Sequence, residues 1–271
     1  MLQGSPRYTP TVTLELRNVG KSYDDGVSFA VEDVSFAAAP GELVVLVGES
    51  GCGKTTTLKT INRLIEPTNG QVLIDGSNIA DRKAVELRRS IGYVFQGIGL
   101  FPHLSIARNV GIIPTLLGWD DERISNRVSE LLELVRLDPE EFGSRMPAGL
   151  SGGQRQRVGF ARALAAGPSL MLLDEPFGAL DPITRDDLRT EFQQIQKELD
   201  LTAVLVTHDM TEALLMGDRI IVMREGRVVG QGSPREILRD PGDPYVTRLM
   251  ESPTRQAARL AAMVDDDRAQ P

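Results

Sequence analysis

The chain has 271 residues, a formal charge of -8 and a single cysteine. Its 41% hydrophobic content is enough for one large α/β domain with a smaller helical insertion. The acidity argues against nucleic acid as the main partner, and the lone Cys52 excludes an internal disulfide and suits a reducing compartment. No apolar run approaches the roughly 18 residues of a membrane-spanning helix, and residues 1–10 lack the basic stretch and apolar core of a secretion signal.

In chain order, the alternation Val12-Thr13-Leu14-Glu15-Leu16 predicts a strand. Tyr23, in Lys21-Ser22-Tyr23, reads by itself as a sheet aromatic. The apolar run Leu43-Val44-Val45-Leu46-Val47 predicts a buried strand that feeds the loop Gly48-Glu49-Ser50-Gly51-Cys52-Gly53-Lys54-Thr55, and Thr55 to Thr60 can continue as a helix. Such a loop aims its amides at phosphate oxygens at a helix N-terminus, and Gly48, Gly51 and Gly53 permit the backbone to do so. The phosphate-binding set is therefore Gly48, Ser50, Gly51, Cys52, Gly53, Lys54, Thr55 and Thr56. Lys54 can place a charge on the β- and γ-phosphates and Thr55 a hydroxyl on Mg²⁺, which favours few protein ligands beside phosphate and water. Cys52 occupies a free position of the loop, which predicts sensitivity to bulky thiol reagents that ATP should reduce.

Residues 71–76 suggest a further N-terminal strand, and Ile91-Gly92-Tyr93-Val94-Phe95 leads to Gln96, which alone would be a surface amide. Gly97-Ile98-Gly99-Leu100-Phe101-Pro102 marks irregular backbone, a hinge into a helical insertion and an apolar docking surface for a partner. The character is then helical to Gly149, with Val128, Leu131, Leu132 and Val135 on one apolar face. Ser151-Gly152-Gly153 caps a predicted helix through Leu164 and forms a second anion site, with Gln154 following. Arg155, Arg157 and Arg162 read as a solvated helix face rather than a nucleic-acid stripe. Ser169-Leu170-Met171-Leu172-Leu173-Asp174-Glu175-Pro176 predicts a strand buried on both faces, with its acids at the carboxyl end where α/β sheets bind ligands. Asp174 can hold Mg²⁺ through water and Glu175 can polarise an attacking water. After the strand expected at residues 203–206 comes His208, and residues 219–229 read as a hairpin turning at Glu225-Gly226. Beyond Glu251 a short helix and a frayed acidic tail are expected.

Leu150-Ser151-Gly152-Gly153-Gln154 resembles the signature of the ABC ATPases, and six further positions follow that family's order. Tyr23 resembles its adenine-stacking aromatic, Gln96 its Q-loop glutamine, Ala179-Leu180-Asp181 its D-loop and Thr207-His208-Asp209 its switch histidine, beside the phosphate loop and Asp174-Glu175. The resemblance implies a P-loop NTPase cassette over residues 11–250, with a RecA-like core, an N-terminal antiparallel β-subdomain and an inserted α-helical subdomain at about 100–160. A flexible N-terminus at 1–10 and a short tail at 251–271 would flank it. It implies a head-to-tail sandwich of two cassettes with ATP between the Lys54 loop of one and Ser151 and Gly153 of the other. Glu175, His208, Lys54 and Gln96 would then be catalytic, Thr55, Gln96 and Asp174 would serve Mg²⁺, and Asp181 would couple the two sites. Transmembrane permease subunits, a second and identical ATP-binding subunit and, indirectly, a substrate-binding protein are the implied partners, at the cytoplasmic face of the membrane.

Ile61-Asn62-Arg63-Leu64-Ile65-Glu66-Pro67, Ile98-Gly99-Leu100-Phe101-Pro102-His103 and Asp181-Pro182-Ile183-Thr184-Arg185 are similar to segments of importers for glycine betaine, choline, carnitine and proline betaine. Relatives often have a second glutamine where Gly97 stands and a Glu where Gly149 stands. They also often carry paired C-terminal CBS domains, for which the residues after Glu251 are too few, so osmotic gating by that route is not expected. An importer of another small solute, such as an amino acid, and a soluble non-transport ABC ATPase are the alternatives.

Overall fold

The computed structural model describes residues 13–251 and 255. Two sheets share the core. An antiparallel sheet has the order β2-β1-β4-β5, from β1 (Leu14–Lys21), β2 (Val31–Ala38), β4 (Asn69–Ile74) and β5 (Ser77–Asn78). The larger sheet has the order β10-β9-β3-β8-β7-β6, from β3 (Leu43–Val47), β6 (Ile91–Val94), β7 (Leu170–Asp174), β8 (Thr202–Thr207), β9 (Arg219–Arg224) and β10 (Arg227–Gly232). Its strands are parallel except for the β9–β10 hairpin, which turns at Glu225 and Gly226.

The apolar runs become strands because both their faces are covered. Val44 and Leu46 of β3 enter one core with Leu14, Leu16 and Leu58, whereas Leu43, Val45 and Val47 enter the other with Phe177, Leu188 and Phe192. Leu172 and Leu173 of β7 divide in the same way. A strand buried on both sides cannot alternate polar and apolar residues, so its sequence reads as a continuous apolar run.

The strand expected over residues 71–76 lies instead at Asn69–Ile74. Asp75 (φ 50°) and Gly76 (φ 75°) form the tight turn into β5, with Ile74 paired to Ser77. Two successive left-handed residues of the Asp-Gly type make the hairpin turn that fits strand twist. The first described strand begins at Leu14, and the expected N-terminal extension at 1–10 and the acidic tail lie outside the described residues.

Between β6 and β7 the chain forms α3 (Ile106–Leu116), α4 (Asp121–Leu134), α5 (Pro139–Phe142) and α6 (Gly152–Leu164). Val128, Leu131, Leu132 and Val135 are buried along α4 and its C-cap. Asn109, fully buried, bonds the carbonyls of Phe101, Leu104 and Ser105 and thereby fixes the entry loop. The remaining helices are α1 (Lys54–Ile61), α2 (Ala84–Ser90), α7 (Pro182–Glu198), α8 (Met210–Met216) and α9 (Pro234–Arg239). Among the described residues no helix is long and apolar enough to cross a membrane.

Candidate nucleotide site

The loop between β3 and α1 is shaped by left-handed glycines at Gly48, Gly51 and Gly53. Two of them are also sterically required: a Cβ at Gly48 would lie 2.2 Å from the Met223 carbonyl oxygen, and one at Gly53 would lie 2.5 Å from that of Ala30. Gly53 caps α1 without offering a side chain, which leaves the first-turn amides of Lys54, Thr55 and Thr56 as an anion site. Lys54, buried, curls back so that Nζ donates to the carbonyls of Gly48 (2.7 Å) and Glu49 (2.8 Å). Ser50 and Gly51 form the exposed rim.

Parallel pairing of β3, β8, β7 and β6 puts the ends of all four strands on one edge, beside this loop. Thr55 Oγ1 donates to Asp174 Oδ1 at 2.9 Å, which joins the start of α1 to the end of β7. Burial pushes the Asp174 carboxyl above its usual range, while the Thr55 hydrogen bond and the Lys59 and Lys54 ammoniums oppose that shift. A buried carboxylate bonded to a hydroxyl, with ammoniums near, is an oxygen donor set that suits Mg²⁺ completed by phosphate and water. No group of three His, Cys, Asp or Glu that could hold a metal occurs among the described residues.

Glu175 occupies a left-handed backbone (φ 45°) rarely adopted by a non-glycine residue, held by its N–H donating to the Val206 carbonyl at 3.0 Å. The conformation turns its side chain into the cleft. Gln96 Nε2 donates to Glu175 Oε2 at 3.2 Å, and His208 Nδ1 lies 3.3 Å from the same oxygen. Glu175, Gly178, Thr207 and His208 are among the residues lining a cavity of about 40 Å³, enough for a water. Two residues, each following a neighbouring strand, thus converge on the carboxylate of a third.

Other expected site residues lie apart from this cluster. Ser151 N-caps α6 in a capping box, its hydroxyl accepting the Gln154 N–H and Gln154 Oε1 accepting the Ser151 N–H. Gly152 stands half-buried near Leu180, and Gly153 lets α6 approach α7, since a Cβ there would lie 2.6 Å from Thr184 Cγ2. Asp181 is exposed and caps α7 by accepting the Thr184 N–H at 3.0 Å, and the Thr184 side chain together with this N–H holds its carboxyl pKa below the usual range. Tyr23 is 65% exposed, with Lys21 Nζ 5.1 Å from its ring centre. An open ring face suits stacking on a base.

Two expectations are corrected. Arg155, Arg157 and Arg162 are not a solvated face: Arg155 bonds the Leu150 carbonyl, Arg157 reaches Val135 and Glu191, and Arg162 is 7% exposed. Arg162 donates to the carbonyls of Gly99 (2.6 Å) and Ile98 (2.8 Å), clamping the segment after Gln96, and burial lowers its pKa. Cys52 is 6% exposed with Sγ 3.6 Å from Lys54 Nζ, so a bulky reagent reaches it only when the loop opens. Sequence reasoning also missed Tyr93. Its buried hydroxyl makes no hydrogen bond of standard geometry yet feels the Asp174 charge, and burial raises its pKa.

Ile98 has φ 71° between left-handed Gly97 and Gly99, a strained setting for a β-branched residue. Next to it, Ile91, Tyr93, Phe95, Phe101, Ile113 and Leu116 line part of an apolar groove of about 270 Å³. At Gly149, the other departure, a Cβ would meet nothing within 4 Å.

A family model described as ABC transporter matches residues 31–178. The chain belongs to the ABC transporter family. Within it, this cassette is 53% identical to the choline transport ATP-binding protein OpuBA of Bacillus subtilis over 237 residues, covering 88% of this chain and 62% of that protein. It therefore spans under two thirds of the length of that relative. The glycine betaine uptake system ATP-binding protein YehX of Escherichia coli is 46% identical over 87% of this chain and 76% of its own length. Among solved structures, the dimeric post-hydrolysis state of the ATP-binding cassette MJ0796 bound to ADP and Pi matches with a TM-score of 0.72 at 37% identity, covering 82% of this chain and 99% of that one.

Proposed function

We propose that this chain is the ATP-binding and ATP-hydrolysing subunit of an importer for quaternary amines such as glycine betaine or choline. The observation that carries the ATPase reading is the convergence of Gln96 and His208 on Glu175 beside the Thr55–Asp174 pair and the phosphate loop. The names of OpuBA and YehX support the cargo class.

The first-turn amides of α1 would hold the phosphates while Lys54 turns from its two carbonyls to the β- and γ-oxygens. Tyr23 would stack on adenine. Mg²⁺, held by Thr55 and Asp174 with Gln96 near, would neutralise phosphate charge when bound. Glu175 accepts a proton from the attacking water, and His208 donates to the γ-phosphate. Phosphoryl transfer needs little covalent help, so placing these groups supplies most of the rate.

Ser151, Gly153 and the exposed Asp181 are assigned to the partner cassette's nucleotide, because their hydrogen bonds leave them unconnected to the loop of their own chain. Two identical cassettes would then close two ATP molecules between them. The apolar groove beside Gln96 would receive a permease subunit at the cytoplasmic face of the membrane. Uptake of labelled glycine betaine and choline, compared between the parent and Glu175→Gln in a host lacking related transporters, tests this. Loss in the variant supports the reading, and unchanged uptake directs the cargo to another solute.

A further inference from the structure

We infer that Tyr245 is a positioning residue for the phosphate loop, through which the segment after α9 sets nucleotide affinity. This rests on the ATP-binding reading above. Tyr245 is 3% exposed, and its hydroxyl accepts the Glu49 N–H at 3.0 Å across 196 positions of sequence. It is itself held in place: its N–H donates to Asp243 Oδ1 at 2.7 Å, and the Arg224 guanidinium lies 5.2 Å from its ring centre. Val246, fully buried, seats the same segment against β10, where a Cβ at Gly230 would lie 3.1 Å from its Cγ2.

The Glu49 residue is gripped at both ends. Tyr245 takes its N–H, while Lys54 Nζ donates to its carbonyl and to that of Gly48. When phosphate draws the ammonium away, the Lys54 grip is released and the Tyr245 grip remains. The far end of the loop is held by Thr55 Oγ1 on Asp174 and Thr57 Oγ1 on the Gly53 carbonyl, and its middle by backbone, with the Gly226 N–H donating to the Cys52 carbonyl at 3.1 Å and the Met223 carbonyl closely approached by Gly48. Removing the Tyr245 hydroxyl lets the rim sample shapes that cannot bind, and apparent affinity falls by the competent fraction.

The test compares Tyr245→Phe, which keeps the ring and its Arg224 contact, with Val246→Ala, which loosens the same segment without touching the loop. Cys52, the chain's single cysteine and a buried member of the loop, reports opening through its rate of reaction with an aromatic disulfide reagent in the absence of nucleotide. In Tyr245→Phe that rate and the KM for ATP both rise about three- to tenfold, the equivalent of one net hydrogen bond. Its kcat at saturating MgATP stays within about twofold of the parent, because the reacting groups are untouched. Val246→Ala lowers the melting temperature and leaves both the labelling rate and KM near the parent's. No change in Tyr245→Phe, or the same rise in both variants, overturns the inference. A parent that fails to bind ATP overturns the ATPase reading instead, and the labelling rates still decide the role of Tyr245.

Discussion

Glu175 gathers its neighbours through a backbone conformation that L-residues avoid. A left-handed φ at a non-glycine position costs of order 1–3 kcal/mol and persists where its surroundings determine it. Here the Val206 carbonyl and the Gln96 and His208 side chains do so. His208→Ala is expected to lower kcat by about 10²–10³, the usual loss for one electrostatic partner of the transferring group, with nucleotide binding measured by fluorescence titration nearly unchanged. The gathering of Lys54, Thr55, Asp174 and Glu175 at one sheet edge was legible because each lies in a short local pattern at a strand end. Arg162 was not: its acceptors on Gly99 and Ile98 lie 63 and 64 positions away, and nothing in a run of basic residues on a helix reveals which one turns inward. Arg162→Leu should leave those two carbonyls unpaired and Ile98 unsupported. Hydrogen exchange in residues 97–101 is predicted to speed up, with a stability loss of about 2–4 kcal/mol for buried hydrogen bonds to a charged donor. Unchanged exchange there would remove Arg162 as the clamp.

Elements built from continuous apolar runs were the easiest to foresee, since β3, β7 and β8 have no solvent face to confuse the pattern. Leu172 shows the energetic side of this: fully buried in the core shared with Leu46 and Leu58, it should cost about 2–5 kcal/mol on Leu172→Ala, read from denaturant unfolding. The position of β4 was harder. The apolar pattern allowed residues 71–76, and only the Asp75-Gly76 turn moved the strand to Asn69–Ile74. The contact of α6 with α7 was also hidden, although its cause lies in the signature itself. A side chain at Gly153 meets Thr184 at 2.6 Å, so Gly153→Val should push the two helices apart. Thermal unfolding would show that as a loss of about 1–3 kcal/mol from overpacking. Restoration by the paired change Thr184→Ser would trace it to this contact, and failure of the paired change would place the cause elsewhere.

At the scale of the whole molecule, the proposed site residues of one protomer fall into two separate groups. The phosphate loop, Asp174 and Glu175 meet at one edge of the parallel sheet, while Ser151, Gly153 and Asp181 lie on α6 and at the start of α7 with no hydrogen bond to that loop. Motif order in the sequence singled out all of them, yet only topology separates those gathered at one sheet edge from those proposed for a partner. The most direct measurement is sedimentation of Glu175→Gln with and without MgATP, alongside its hydrolysis rate. Two cassettes closing on two nucleotides require a monomer that becomes a dimer at saturating MgATP while hydrolysis falls by about 10²-fold or more. A variant that binds MgATP but stays monomeric, or one that hydrolyses at the parent's rate, would contradict the shared site and the role of Glu175 respectively.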